Sequence, residues 1–159
     1  MSRTGVLFVC LGNICRSPLA EGVFLHQAAE AGLSEAFLVE SAGTSGYHVG
    51  DRPDPRSIAV AKKHGVELPS RSRKVADEDF TRFAWIVAMD AQNQRDLEAQ
   101  AASTRDPSAR LVCMRDYDPQ GPGDVPDPYY GGPGGFDRVY AQVERSCAGL
   151  LEALRAQPD

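Results

Sequence analysis

The sequence predicts an α/β fold, a parallel sheet with helices on both faces, and three observations carry that reading. Short apolar runs alternate with amphipathic stretches along the chain, the first run is apolar at every position, and glycine or proline marks most changes of pattern. A strand apolar throughout is one buried on both sides, as in parallel sheets, and strand–helix alternation supplies the covering layers. With 159 residues the chain suits one domain spanning residues 1–159.

The elements follow in order. Val6-Leu7-Phe8-Val9 is the first strand. Ser17 offers an N-cap and Pro18 a first helical position, and the helix carries Leu19, Val23, Phe24 and Ala28 toward Gly32. Phe37-Leu38-Val39 reads as a second strand, and after Pro53 and Pro55 a short helix bears Ile58 to Ala61 and stops at Gly65. Trp85 to Met89 is a third strand, Asn93 to Ala101 a helix, Arg110 to Cys113 a fourth strand. Phe136, Val139, Tyr140, Val143, Cys147, Leu150, Leu151 and Leu154 mark a final amphipathic helix. Arg115 to Gly135 is dense in proline and glycine and too long for a mere connector, which marks it as a functional loop.

Composition narrows the function. A net charge of −5 argues against nucleic-acid partners, so an anionic ligand must be drawn by a local field. No apolar run approaches the roughly 20 residues that cross a bilayer, and the first strand is too short for a signal-peptide core, so the expected location is the cytoplasm, with no membrane partner. There Cys10, Cys15, Cys113 and Cys147 are expected reduced, and their spacing outlines no disulfide framework. Zinc spacings are also missing, and His26, His48 and His64 stand singly, so neither metal nor cofactor is expected.

The segment Cys10-Leu11-Gly12-Asn13-Ile14-Cys15-Arg16-Ser17 joins a buried strand to a helix N-terminus, where unpaired amides and the helix dipole favour an anion. Gly12 and Asn13 tolerate left-handed backbone angles, so the loop can curl its amides around a phosphate. A cysteine at the mouth of this cradle is favoured as thiolate by the dipole and by Arg16, and Ser17 can donate to its sulfur. Arg16 matches two phosphate oxygens with a bidentate fork. A cysteine six residues before an arginine also fits an inert buried thiol beside a solvated helix residue; the strand before, Gly-Asn within and Ser-Pro after set this segment apart. Cys15 reads as a resolving thiol able to form a reversible disulfide with Cys10.

Val9 to Pro18 resembles the signature of the low-molecular-weight protein tyrosine phosphatases, and Ser41-Ala42-Gly43-Thr44, Lys63-His64-Gly65, Met89-Asp90 and Asp127-Pro128-Tyr129-Tyr130 extend the resemblance along nearly the whole chain. It implies a four-stranded sheet of order 2-1-3-4, with the phosphate loop after the first strand at a topological switch point. It also implies hydrolysis of phosphotyrosine in proteins through a cysteinyl-phosphate intermediate, without metal, by Cys10 and Arg16.

A phenolic leaving group, with a conjugate-acid pKa of about 10, needs a proton donor. The Arg115–Gly135 loop offers Asp116, Asp118, Asp124 and Asp127, and chemistry alone does not choose among them, although Pro126 and Pro128 stiffen the backbone at Asp127. The resemblance assigns the acid to Asp127. Tyr129 and Tyr130 beside it, and Tyr47 in the Gly46–Gly50 loop, supply aromatic walls for a deep slot that favours phosphotyrosine over phosphoserine. By the same resemblance, Leu11, Gly12, Asn13, Ile14, Cys15 and Ser17 line the cradle, His48 takes a variable specificity position, and Asn13 and Ser41 hold the cradle by hydrogen bonds. Ser70 stands where many relatives have a histidine.

Three rivals remain. Arsenate reductases of this fold need two further cysteines on a mobile segment, and Met89 to Ala102 has none. Arginine phosphatases carry Thr where Ile14 stands, and a bulky branched residue disfavours phosphoarginine. A binding module would need neither Cys10 nor Asp127. The expected partners are phosphotyrosine proteins, and the expected state is a monomer or a weakly self-associating one.

Overall fold

In the computed structural model, which describes residues 3–132 and 134–156, four parallel strands run in the order β2-β1-β3-β4. These are β1 (Thr4–Cys10), β2 (Phe37–Gly43), β3 (Trp85–Ala88) and β4 (Arg110–Cys113), with α1 (Arg16–Glu30), α2 (Pro55–Lys63), α3 (Asp79–Arg82), α4 (Ala91–Ala102) and α5 (Gly135–Arg155) between and after them. The expected α/β class and strand order both hold.

The uniform apolarity of β1 has a direct cause. Val6 and Phe8 face one core with Leu19, Val23 and Phe24 of α1 and Val143 and Leu150 of α5. Leu7 and Val9 face a second core with Phe80, Phe83 and Leu97. Successive residues of a strand point to opposite faces, so a strand between two helical layers must be apolar at each position. Phe24 packs against Phe8 at 5.7 Å and edge-on against Phe37 at 5.2 Å between ring centroids, which ties α1 to β1 and β2.

Parallel registry brings Cys10 opposite Gly43, and Val9 opposite Ala88, so the carboxyl ends of β1, β2 and β3 meet at one edge. The loops leaving that edge carry the candidate site.

The structure departs from the expected elements at the first helix and the second strand and adds detail at two other places. The first helix starts at Arg16 with Cys15 as its N-cap residue, so Ser17 lies inside the first turn and not at the cap. Its hydroxyl is drawn into the cradle instead of onto a backbone amide. β2 continues past Val39 to Gly43, because Glu40 takes a half-buried position and the buried Ser41 hydroxyl is satisfied by Asn13 and Glu21, so neither breaks the ladder. Asp54 caps α2 by accepting from the Arg56 amide, with Pro55 at the first helical position. α3 and a 3-10 turn at Met114–Tyr117 are single turns too short to leave a periodicity in sequence.

That 3-10 turn opens the long loop, and Asp118 anchors it. The buried Asp118 carboxylate accepts from Arg145 Nε (3.0 Å) and Nη2 (3.1 Å), Arg115 Nε (3.1 Å) and the Gln120 amide (2.9 Å). Burial alone would raise its pKa, but Arg145, the Gln120 amide and Arg115 together lower it from 3.8 to about 2. The unfolded state therefore binds more protons between those values, and the stabilisation by Asp118 is complete above about pH 4 and lost as pH falls through 2. Asp118→Asn should lower stability at neutral pH by roughly 3 kcal/mol and flatten the loss between pH 4 and pH 2, as read from denaturant midpoints across pH.

Candidate active site

The Cys10–Ser17 loop closes one end of a cavity of about 480 Å³ lined by Cys10, Leu11, Gly12, Ile14, Cys15, Arg16, Tyr47, His48, Asp127, Tyr129 and Tyr130. Every one of these is a site residue anticipated from the sequence. Asn13, Ser17 and Ser41 lie buried behind the loop.

Asn13 adopts the left-handed conformation at φ 57°, as expected for a loop that must reverse within a few residues. Gly12 does not have a positive φ, and the expectation is corrected there: its lack of a side chain makes room, since a Cβ would sit 3.1 Å from the His48 ring. The Asn13 amide nitrogen donates to Ser17 Oγ (2.8 Å) and Ser41 Oγ (3.0 Å), and its carbonyl oxygen accepts from the Arg73 amide (3.0 Å). One side chain thus fastens the loop to α1, β2 and the segment before α3. Ser17 Oγ lies 3.1 Å from Cys10 Sγ, within reach to hydrogen-bond the sulfur.

Behind Ser41 stands Glu21, which composition and spacing did not single out. Its carboxylate accepts from Ser41 (2.6 Å) and from Ser70 (2.7 Å). Burial raises the Glu21 pKa and the two hydroxyls bring it partly back. Glu21 follows Ser17 by four residues, so the two share a helix face; an acidic residue on the face that already carries the cradle serine was the available signal.

Arg16 is almost fully buried. Its Nη1 donates to Asp90 Oδ2 (2.6 Å) and to the Val125 carbonyl (2.9 Å), while Nη2 lies 3.7 Å from Asp127 Oδ2. Nε and Nη2 have no hydrogen-bond partner among the described residues, which leaves one two-nitrogen edge of the guanidinium for a ligand. Burial works against its charge, but Cys10, Asp90 and Asp127 around it hold the proton more firmly than usual. Asp90 was not assigned a role from sequence; its place two residues after β3, at the carboxyl edge of the sheet, was the clue. The same carboxylate caps α4 by accepting from the Asn93 amide (2.8 Å).

The four candidate acids separate by position. Asp118 is buried and fully engaged, Asp116 accepts from the Cys113 amide, and Asp124 accepts from the Ala91 amide. Asp127 lines the cavity, with its side chain 45% exposed and Oδ1 accepting from the Tyr129 amide (3.1 Å). Tyr47 and Tyr130 are exposed beside the cavity, and Tyr130 meets Tyr129 edge-on at 4.8 Å. His48 Nδ1 lies 3.2 Å from Asp51.

Burial, then the negative charges of Asp54, Cys10 and Asp127, push the Cys15 thiol up to about 12, so it stays protonated. Cys147 is fully buried in α5, and burial holds Cys113 at about 11. All four cysteines are free thiols. Among the described residues no group of three or more His, Cys, Asp or Glu is arranged to hold a metal ion, and no helix is long and apolar enough to cross a membrane.

Comparison with known proteins agrees with the geometry. The family described as low molecular weight phosphotyrosine protein phosphatase matches residues 5–159. The chain is 43% identical over 147 residues to the low molecular weight phosphotyrosine protein phosphatase of Homo sapiens, covering 92% of this chain and 93% of that one. The crystal structure of a protein tyrosine phosphatase from Entamoeba histolytica, with Hepes in its active site, superposes with a TM-score of 0.90 at 39% identity, covering 96% of this chain and 97% of that one. A Drosophila arginine phosphatase superposes with a TM-score of 0.89 at 35% identity, covering 96% and 99%.

Proposed function

The chain belongs to the low molecular weight phosphotyrosine protein phosphatase family, and from that premise we propose that it hydrolyses phosphotyrosine in proteins with Cys10 as nucleophile, Arg16 as phosphate clamp and Asp127 as general acid. The observation that carries the reading is the Nε–Nη2 edge of Arg16, which makes no hydrogen bond among the described residues and lies in the cavity that Cys10 and Asp127 also line.

The phosphoryl group sits in the loop, its oxygens held by backbone amides and the Arg16 fork. The Cys10 thiolate attacks phosphorus in line, and the bond to the tyrosyl oxygen breaks as Asp127 gives that oxygen its proton. The Asp127 carboxylate then takes a proton from water, which attacks the cysteinyl phosphate and releases inorganic phosphate and the Cys10 thiolate. Ser17 beside the sulfur favours the thiolate as attacking and leaving group, and Asp90 fixes the guanidinium. Residues 1–159 act together as one phosphatase domain.

Tyr47, Tyr129 and Tyr130 give the slot aromatic walls deep enough for a phenyl ring, and Ile14 narrows its floor against phosphoarginine. Leu11, Gly12, Asn13, Cys15, Ser17 and His48 complete the binding surface, with Ser41 in support. A cytoplasmic location, a monomeric or weakly self-associating state and a redox-sensitive Cys10 with Cys15 as its resolving partner belong to the same proposal, the last of them supported by the two thiols lining one cavity.

The test is steady-state hydrolysis of phosphotyrosine, phosphoserine and phosphoarginine substrates in the presence of a metal chelator. The expected result is turnover of phosphotyrosine alone, reduced about a hundredfold in Asp127→Asn. Preferential turnover of phosphoarginine would transfer the chain to the activity named for the Drosophila neighbour.

A further inference from the structure

We propose, resting on the phosphatase reading above, that Arg56 is a positioning residue that ties the loop bearing Asp127 to the phosphate cradle and sets the acid for proton delivery to the leaving phenol. The tie runs through one planar cation. The start of α2 is fastened to the cradle, because the Asp54 amide donates to the Ile14 carbonyl (2.7 Å) and Ser57 Oγ to the Cys15 carbonyl (3.3 Å). The buried Asp54 carboxylate receives Arg56 Nε (3.0 Å) and Nη2 (2.9 Å) as a fork, which fixes the guanidinium plane. The remaining nitrogen, Nη1, donates to the Tyr129 carbonyl (3.1 Å), and the guanidinium lies 5.2 Å from the Tyr129 ring centroid and 4.6 Å from that of Phe136. Tyr129 returns the constraint to the acid, since its amide donates to Asp127 Oδ1 (3.1 Å).

On the N-terminal side of the acid the loop is held by Arg16, whose Nη1 donates to the Val125 carbonyl and whose Nη2 lies 3.7 Å from Asp127 Oδ2, and the C-terminal side is left to Arg56. Between Val125 and α5 the Arg56–Tyr129 bond is the loop's one hydrogen bond to a distant part of the chain among the described residues; the bonds at Gly131 and Gly135 are local. Glycines 131, 132 and 134 leave that stretch little stiffness of its own. Arg56 is itself half-exposed, where an ion pair adds little to stability, so its geometry is directed at orientation and not at holding the fold. The Arg56 side chain also holds the Asp54 carboxyl below its ordinary range, so the fork stays ionised at neutral pH. Lysine could keep a charge there but not the fork, the third bond and the ring contacts together.

The test compares kcat/KM for a phosphotyrosine peptide, whose phenol must be protonated as it leaves, with kcat/KM for dinitrophenyl phosphate, whose leaving group needs no proton. Arg56→Ala and Arg56→Lys should lose about tenfold on the peptide and less than about twofold on the activated ester. Asp127→Asn, measured in parallel, should show the same selectivity with a larger loss. Equal losses on both esters, or none on either, in the Arg56 variants would overturn the positioning role. If Asp127→Asn itself lacks the selectivity, the acid assignment fails and the inference falls with it; selectivity in Asp127→Asn without any in Arg56→Ala overturns the inference alone.

Discussion

Cys10→Ser is expected to lower turnover of phosphotyrosine by at least about ten-thousandfold while leaving inorganic phosphate binding within a few-fold of wild type. The hydroxyl occupies the space of the thiol, so the surrounding loop, with Asn13 bonded to Ser17, Ser41 and the Arg73 amide, keeps its shape. What is lost is the nucleophile. An alkoxide lies far above the pH at which a thiolate forms, and one helix N-terminus with one arginine cannot close that gap. Steady-state rates together with phosphate titration by calorimetry check both halves. Turnover that survives the substitution would move the nucleophile to water or to another residue.

Arg16→Lys is expected to cost about a thousandfold in kcat/KM despite conserving the charge. The guanidinium spends Nη1 on Asp90 and the Val125 carbonyl and still presents Nε and Nη2 to the cavity. An ammonium has one nitrogen, and if it satisfies Asp90 at 2.6 Å it cannot also fork two phosphate oxygens. The loss should fall on both kcat and KM, because the clamp holds the ground-state phosphate and, more tightly, the spread charge of the transition state. Kinetics of the purified variant, with a thermal melt to verify folding, decide the point. A KM effect with unchanged kcat would reduce Arg16 to uniform binding.

How far the sequence was legible depended on the range of the interactions. β1 and α5 were readable because their patterns report burial directly: a strand between two cores is apolar throughout, and a helix on one core carries a single stripe. The cradle was readable because strand, Gly-Asn and helix start are contiguous. Ser17 was misplaced because Ser-Pro is a good cap signal, and only the folded loop reveals that its hydroxyl is drawn toward Cys10, Asn13 and the Ala42 carbonyl. Glu21, Asp90 and Arg56 were missed for the same reason. The partners that give them a place at the site, Ser41 for Glu21, Arg16 for Asp90 and Tyr129 for Arg56, lie 20 to 74 residues away across separate elements, and no local pattern encodes such a meeting. The choice among four loop aspartates was likewise open to chemistry alone; in the fold Asp127 is the one of the four that lines the cavity, while Asp118 is engaged by Arg115 and Arg145.

Phosphoryl transfer to one sulfur is the central step, and the most direct measurement of it is an acid-quenched single turnover with a phosphotyrosine peptide, followed by mass spectrometry of the peptide containing Cys10. Phosphate covalently held on Cys10 at early times, decaying as inorganic phosphate forms, is the predicted result. Release of tyrosine with no phosphate ever on Cys10, or with phosphate on another residue, would contradict it.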